Sequence, residues 1–161
     1  MQNLQEQYNE LNDWDRVEFL RKIEFEDDPS KWELLDHIIQ DEEDYDLARI
    51  EALKILEIAE IQGHIKDKIM KTLIGVIEST EDYDVRNYAT SAIVNFVEYS
   101  QIRIVARNLV LNIDEDIDIR YNAFDVIKKI SDIDERNEVL KRLLDDTDFQ
   151  KSAQRVLTEG S

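Results

Sequence analysis

The nine residues EDYDVRNYA, Glu81 to Ala89, return 34 positions later as EDIDIRYNA, Glu115 to Ala123, aligned without a gap. Self-similarity at such a period is the mark of a chain built from stacked supersecondary units, and it decides the fold before any single helix is considered. Upstream, Glu43 to Ala52 (EDYDLARIEA) matches with one inserted residue. Downstream, Asp146 to Ala153 (DTDFQKSA) matches with Gln150 in the place of the arginine. The four alanines, Ala52, Ala89, Ala123 and Ala153, are spaced by 37, 34 and 30 residues. Apolar residues then fall four and seven positions on, at Leu56 and Ala59, Ile93 and Phe96, and Ile127 and Ile130, one stripe per helix.

Between the copies lies a second apolar-periodic segment. His64 to Glu78 carries Ile65, Ile69, Leu73, Val76 and Ile77; Gln101 to Asn112 carries Ile102, Val105, Leu109 and Val110; Glu135 to Leu144 carries Val139, Leu140, Leu143 and Leu144. Each unit is therefore expected to be two antiparallel helices. Pro29 opens another second helix with Trp32, Leu35, Ile38 and Ile39, as proline suits a first helical turn. Asn12 to Ile23 reads as a degenerate first helix whose Asp13, Trp14 and Asp15 echo the Asp-Tyr-Asp turns. The expected architecture is all-α: four helix pairs and a terminal helix in a single domain over 1–161, with degenerate capping units at about 1–40 and 146–161. No alternating strand pattern or hairpin dipeptide competes.

An Asp-rich turn followed by Val/Ile-Arg-x-x-Ala-x-x-x-Ile resembles the HEAT and HEAT-like, armadillo-related repeats. It is carried by Asp84-Val85-Arg86 with Ala89 and Ile93, and by Asp118-Ile119-Arg120 with Ala123 and Ile127, within a span of about residues 12 to 157. The resemblance implies a curved right-handed α-solenoid whose work is binding other macromolecules. It also implies that Arg49, Arg86 and Arg120 bond acidic groups of a neighbouring repeat, and that the second helices line a concave face. The alanines are small where two helices approach closely, so they are core.

The 161 residues hold 38 Asp and Glu against 20 Lys and Arg, a net charge of −18. That balance opposes nucleic acid or an anionic membrane as a partner, since phosphate is gripped by clustered cations, and it favours a basic protein. An apolar fraction of 42%, with three glycines and one proline, separates the chain from a disordered acidic tail, and the absence of cysteine removes thiol chemistry. The N-terminal MQNLQEQYNEL has neither the basic start nor the apolar run of a secretory signal, so a cytoplasmic location is expected.

The charge is concentrated. Five turns, Glu26 to Asp28, Asp41 to Asp46, Glu81 to Asp84, Asp114 to Asp118 and Asp145 to Asp148, hold 18 acids and no Lys or Arg in 22 residues. One or two acids per turn suit helix N-termini; three to five set like charges side by side, which calls for a further reason. Stacked along one edge they would form an acidic ridge, with Glu26 to Asp28 slightly off it because it precedes a second helix. The predicted partner-binding residues are Asp41, Glu42, Glu43, Asp44, Tyr45 and Asp46; Glu81, Asp82, Tyr83 and Asp84; and Asp114, Glu115, Asp116 and Asp118. Tyr45 and Tyr83 occupy the same place within their turns, with Trp14 as the first unit's equivalent, and could serve as anchors. Lys66, Lys68 and Lys71, then Arg103 and Arg107, then Lys141 and Arg142 make the second helices neutral to locally basic.

Catalysis finds little footing. His37 and His64 lie on different helices without metal-type spacing. Asp114 to Asp118 resembles a calcium loop, but Ile119 stands where an EF-hand needs glycine and Asp125 where it needs glutamate. No phosphate-cradling loop can be made from Gly63, Gly75 and Gly160. The expected function is that of a non-enzymatic, cofactor-free binding protein, monomeric when free: an immunity-protein or antitoxin-like inhibitor that neutralises a basic toxin such as a nuclease. The alternatives are a general adaptor or assembly scaffold and, from the enzyme class, a HEAT-like lyase or DNA glycosylase.

Overall fold

A computed structural model describes residues 1–79 and 82–159. Among them the chain forms ten α-helices and no strand: α1 (Leu4–Asn9), α2 (Asp13–Ile23), α3 (Ser30–Gln40), α4 (Asp46–Ile58), α5 (His64–Glu78), α6 (Tyr83–Ala92), α7 (Ser100–Leu111), α8 (Ile117–Lys128), α9 (Ile133–Leu143) and α10 (Gln150–Glu159). The protein is all-α, and each predicted apolar stripe lies on a helix, with Ala59, Ile130 and Leu144 just past the ends of α4, α8 and α9. The end of the third stripe tightens into a 3-10 turn at Ile93–Phe96, with Ile93 and Phe96 fully buried.

Local chemistry sets the boundaries. Asp82 and Asp116 cap α6 and α8, their carboxylates accepting the N–H of Asp84 (2.9 Å) and Asp118 (2.8 Å), donors that a helix start leaves unpaired. Asp132 does the same for α9 through the N–H of Glu135 (3.0 Å). Gly63 precedes α5 at φ 79°, a conformation that side chains with a Cβ resist. Helix α1 was not expected. It is held by a capping box in which Asn3 Oδ1 accepts the Glu6 N–H (2.9 Å) and Glu6 Oε2 accepts the Asn3 N–H (3.1 Å), and it buries Leu4 and Tyr8.

The chain divides into two compact units, Met1–Asn95 and Phe96–Ser161. In the first, α2 packs on α4 and α4 on α6, while α1 packs on α3 and α3 on α5; α3–α4 and α5–α6 contacts join the two rows. Helices within a row run parallel. Arg16 reaches Asp44 and Arg21 reaches Glu51, so α2 and α4 pair in the same sequence order. Lys54 lies over Tyr88, and Asn95 donates to the carbonyls of Leu56 (2.8 Å) and Ala59 (2.7 Å), which orders α4 and α6 alike. In the other row Lys68 meets Glu33 and Thr72 meets Asp36. The starts of α2, α4 and α6 consequently share one end of the unit.

In the second unit α7 packs on α8 and α9, and α9 on α10. Arg103–Glu135 and Arg107–Glu138 pairs set α7 and α9 parallel. Ala52, Ala89, Ala123 and Ala153 all have no exposed surface, as close helix approach requires.

The repeated arginines have a common first task. Arg49 donates to the carbonyl of Ile39 (2.7 Å), Arg86 to that of Ile77 (3.0 Å), and Arg120 twice to that of Val110 (2.7 and 3.1 Å). Each side chain thus turns back onto the end of the preceding helix, where carbonyls lack partners and the helix dipole is negative. Arg120 also reaches forward to Asp146 and lies 4.7 Å from the centre of the Phe149 ring. Arg16 repeats the arrangement, donating to the Leu11 carbonyl (3.0 Å) and to Asp44 (2.6 Å).

Replacing Arg120 with Met should lower unfolding free energy by about 3 kcal/mol or more, because it leaves a buried carboxylate and a helix-end carbonyl without their donor; urea denaturation followed by circular dichroism measures it. Burial pushes the Asp146 carboxyl up, but Arg120 and the backbone N–H groups of Asp148 and Phe149 outweigh it and hold the group below its ordinary value of 3.8. Its contribution is present above that value and is lost as pH falls through the lower folded value. Acid unfolding of the wild type should therefore lie below about pH 4, and Asp146→Asn should flatten that limb of a stability-versus-pH curve.

Candidate functional site

Four of the five acids in the turn between α3 and α4 face solvent: Asp41, Glu42, Glu43 and Asp46 are exposed, with Tyr45 half-buried between them. Asp41 accepts the N–H of Glu43 (3.0 Å), which fixes the turn. At the same end of the unit Asp82, Tyr83 and Asp84 are exposed at the start of α6. Asp13, Trp14 and Asp15 are exposed at the start of α2, where Arg21 lies 5.2 Å from the Trp14 ring centre. Glu81, the remaining predicted residue of this group, lies outside the described residues.

Asp44 is different. It is 8% exposed and its carboxylate accepts the Tyr8 hydroxyl (2.8 Å), Arg16 Nη1 (2.6 Å) and the Tyr45 N–H (2.7 Å). Burial, then the bond to Asp44, pushes the Tyr8 phenol well above its ordinary range. Burial works to lower the Arg16 guanidinium, and the hydrogen bond and charge of Asp44 reverse that and raise it. Asp44 ties α1 and α2 to the turn before α4, its carboxylate bonded within the fold. Tyr8 and Arg16, which escaped the sequence reading, are its counterparts.

In the second unit Asp114, Asp116 and Asp118 are exposed and Glu115 is half-buried, its carboxylate accepting the Asp116 N–H (3.0 Å). Ile117, 38% exposed, stands where the first unit has Tyr45 and Tyr83. Asp145 and Asp148 are exposed in the next turn, whereas Asp146 is drawn inward by Arg120.

One expectation needs correction. Glu26 to Asp28 is not slightly off an edge; it lies at the far end of the first unit, beside Ile55, Ile58 and Ala59 at the C-terminal end of α4. The reason is parity: α2 must finish where α4 finishes, so the link to α3 cannot join the turns that start α4 and α6. On the second helices, expected to be neutral to locally basic, several cations meet acids of the same row. Lys68 pairs with Glu33 (2.6 Å) and Asp36 (3.7 Å), Arg103 with Glu135 (2.9 Å), and Arg107 with Glu138 (2.7 Å). Acids on the neighbouring helix of the same row answer these cations.

His37 and His64 are both exposed, the latter 3.8 Å from Asp67. Among the described residues no group of three or more His, Asp or Glu side chains is placed to hold a metal ion.

Together these features define the class: an all-α chain in which no described helix is long and apolar enough to cross a membrane, with clustered carboxylates on the helix-starting turns of each unit. No protein-family model, curated protein or solved structure matches it.

Asp44→Asn should cost about 1–3 kcal/mol of stability through its lost charge-assisted bonds. The triple change Asp41→Asn, Glu42→Gln, Glu43→Gln should leave the melting temperature unchanged or raise it, most at low salt, as repulsion is relieved. Differential scanning calorimetry at two ionic strengths distinguishes the two kinds of acid.

Proposed function

We propose that the protein binds and neutralises a basic protein partner through the acidic turns of its two units, as an inhibitor of the immunity-protein or antitoxin type acting on a cationic toxin such as a nuclease. The scaffold proposed for this task is a HEAT-like right-handed α-solenoid, a reading supported by the parallel helix rows within the first unit and by the repeated arginine and alanine positions.

The observation that carries the reading is the division of labour among charges. Arginines near the turns spend part of themselves on the fold: Arg49, Arg86 and Arg120 hold helix-end carbonyls, and Arg16 and Arg120 draw in Asp44 and Asp146, while Lys68, Arg103 and Arg107 meet acids of adjacent helices. The turns themselves carry no Lys or Arg, and most of their carboxylates are exposed. Such a field accelerates encounter with a cationic surface and fixes its orientation, while Trp14, Tyr83 and Ile117, each exposed inside or beside an acidic turn, supply area for the short-range hold. A nuclease would be blocked by carboxylates occupying its phosphate-binding cations. The same field repels nucleic acid, which separates this reading from the DNA-repair alternative.

Affinity capture from the native host with the tagged full chain, run beside a variant carrying Asp41→Lys, Glu42→Lys and Glu43→Lys, tests the proposal. A basic protein recovered in near-stoichiometric amount with the wild type and lost with the variant is expected, and its association should weaken steeply as salt rises. Recovery of no basic protein, or equal recovery with the charge-reversed chain, would overturn it.

A further inference from the structure

At the end of the first unit away from the turns that start α2, α4 and α6, the link from α2 to α3 and the last turn of α4 line a cleft of about 460 Å³. Its apolar lining is Phe25, Trp32, Ile55 and Ile58. Phe25 is 85% exposed and Ile58 76% exposed, one from the α2–α3 link and the other from the last turn of α4. Two large apolar side chains from separate segments, left in water beside one cleft, are not explained by the packing of the unit itself, and such surface commonly marks a contact site.

The rim is charged in one sense. Glu24, Asp27, Asp28 and Glu60 surround the apolar lining, against the single cation Lys31. Lys31 is already spent on the fold: its Nζ donates to the carbonyls of Glu24 (2.9 Å) and Glu26 (2.6 Å) and sits 4.7 Å from the centre of the Trp32 ring. Asp28 is kept ionised by the Ser30 hydroxyl (2.7 Å) and N–H (2.9 Å), which hold its carboxyl below the usual range. The cleft is thus apolar within and anionic at its lip.

We infer that this cleft is a second docking site, for a basic amphipathic peptide segment that inserts an apolar side chain between Phe25 and Ile58 and sets flanking Lys or Arg side chains against Asp27, Asp28 and Glu60. Charge complementarity selects this occupant. An acidic segment would meet like charge at the rim, and a second copy of the chain brings its own net charge of −18. A purely polar basic segment would leave the apolar walls in water. The inference does not depend on the acidic turns at the other end of the unit binding anything.

The test uses the full chain carrying Trp14→Phe, so that Trp32, one of only two tryptophans, reports alone from the cleft. The probe is a synthetic peptide of alternating Lys and Leu, compared with Glu–Leu and Lys–Ser peptides of equal length. Saturable binding of the Lys–Leu peptide with a shift of Trp32 emission is expected, at least tenfold tighter than either control. Phe25→Ser with Ile58→Ser should weaken it roughly tenfold or more, since exposed side chains that become buried in the complex are removed. Both residues are solvent-exposed, so an unchanged circular dichroism spectrum is expected for that variant. Neutralising Asp41, Glu42 and Glu43 should leave it within about twofold, which keeps this site's fate apart from that of the turns. Equal binding of the Lys–Ser peptide, equal binding of the Glu–Leu peptide, indifference to the double substitution, or self-association of the free chain abolished by that substitution would each overturn the inference.

Discussion

A guanidinium folded back onto the last carbonyls of a helix is the contact on which the rest of this structure leans. Every helix that ends in a sharp turn leaves carbonyl oxygens without donors, and burying such an end uncompensated would cost about 1–3 kcal/mol per group. Here the next helix supplies the donor from its own first turn, at Arg49, Arg86 and Arg120, and Arg16 does the same for the Leu11 carbonyl in the link ahead of α2. One side chain therefore closes one helix and positions the start of another. Where that arginine also finds an aspartate of the following turn, as Arg16 finds Asp44 and Arg120 finds Asp146, the closure extends to a third segment. Because the guanidinium carries donors that point in different directions, one side chain can reach two acceptors at once, as Arg16 and Arg120 do.

That constraint sorts the acids of the turns into two kinds. Composition treats Asp44 and Glu43 alike, yet one is enclosed by Tyr8 and Arg16 and the other lies in water. The enclosed acids are fixed by the architecture. Some exposed ones, Asp41, Asp82 and Asp116, also hold backbone N–H groups, and the accumulation of exposed acids against mutual repulsion is what gives the proposed partner its chemistry.

Much of the fold was legible because period and stripe are strong signals: the alanines at 37-, 34- and 30-residue spacing are all buried, and each apolar stripe marks a helix, even though its last member, as at Ala59, Ile130 and Leu144, can fall just past the helix end. Helix α1 was harder to see, with only Leu4 and Tyr8 to bury, although Asn3 followed by Glu6 was a readable capping box. Arg16 was hidden by order, since Asp15-Arg16-Val17 inverts the Asp-Val-Arg of the later copies. The acid-rich turns were visible as composition, but their placement was not: which end of the unit Glu26 to Asp28 joins depends on helix direction, and the inward turn of Asp44 depends on partners 28 and 36 residues away. The cleft beside Phe25 had no linear signature, because its walls come from two separate links in the chain.

The internal bonding of the exposed turns bears on how such a surface can change over generations. Asp41 holds the N–H of Glu43, and Asp82 and Asp116 hold the N–H groups of Asp84 and Asp118, so the loop shapes are set by short-range bonds. Neighbours such as Glu42 and Asp114, exposed on the same turns, are free to drift while the framework beneath stays put. A lineage carrying this chain could then rewrite a few turn positions, and with them the charge the turns show to water, without refolding anything.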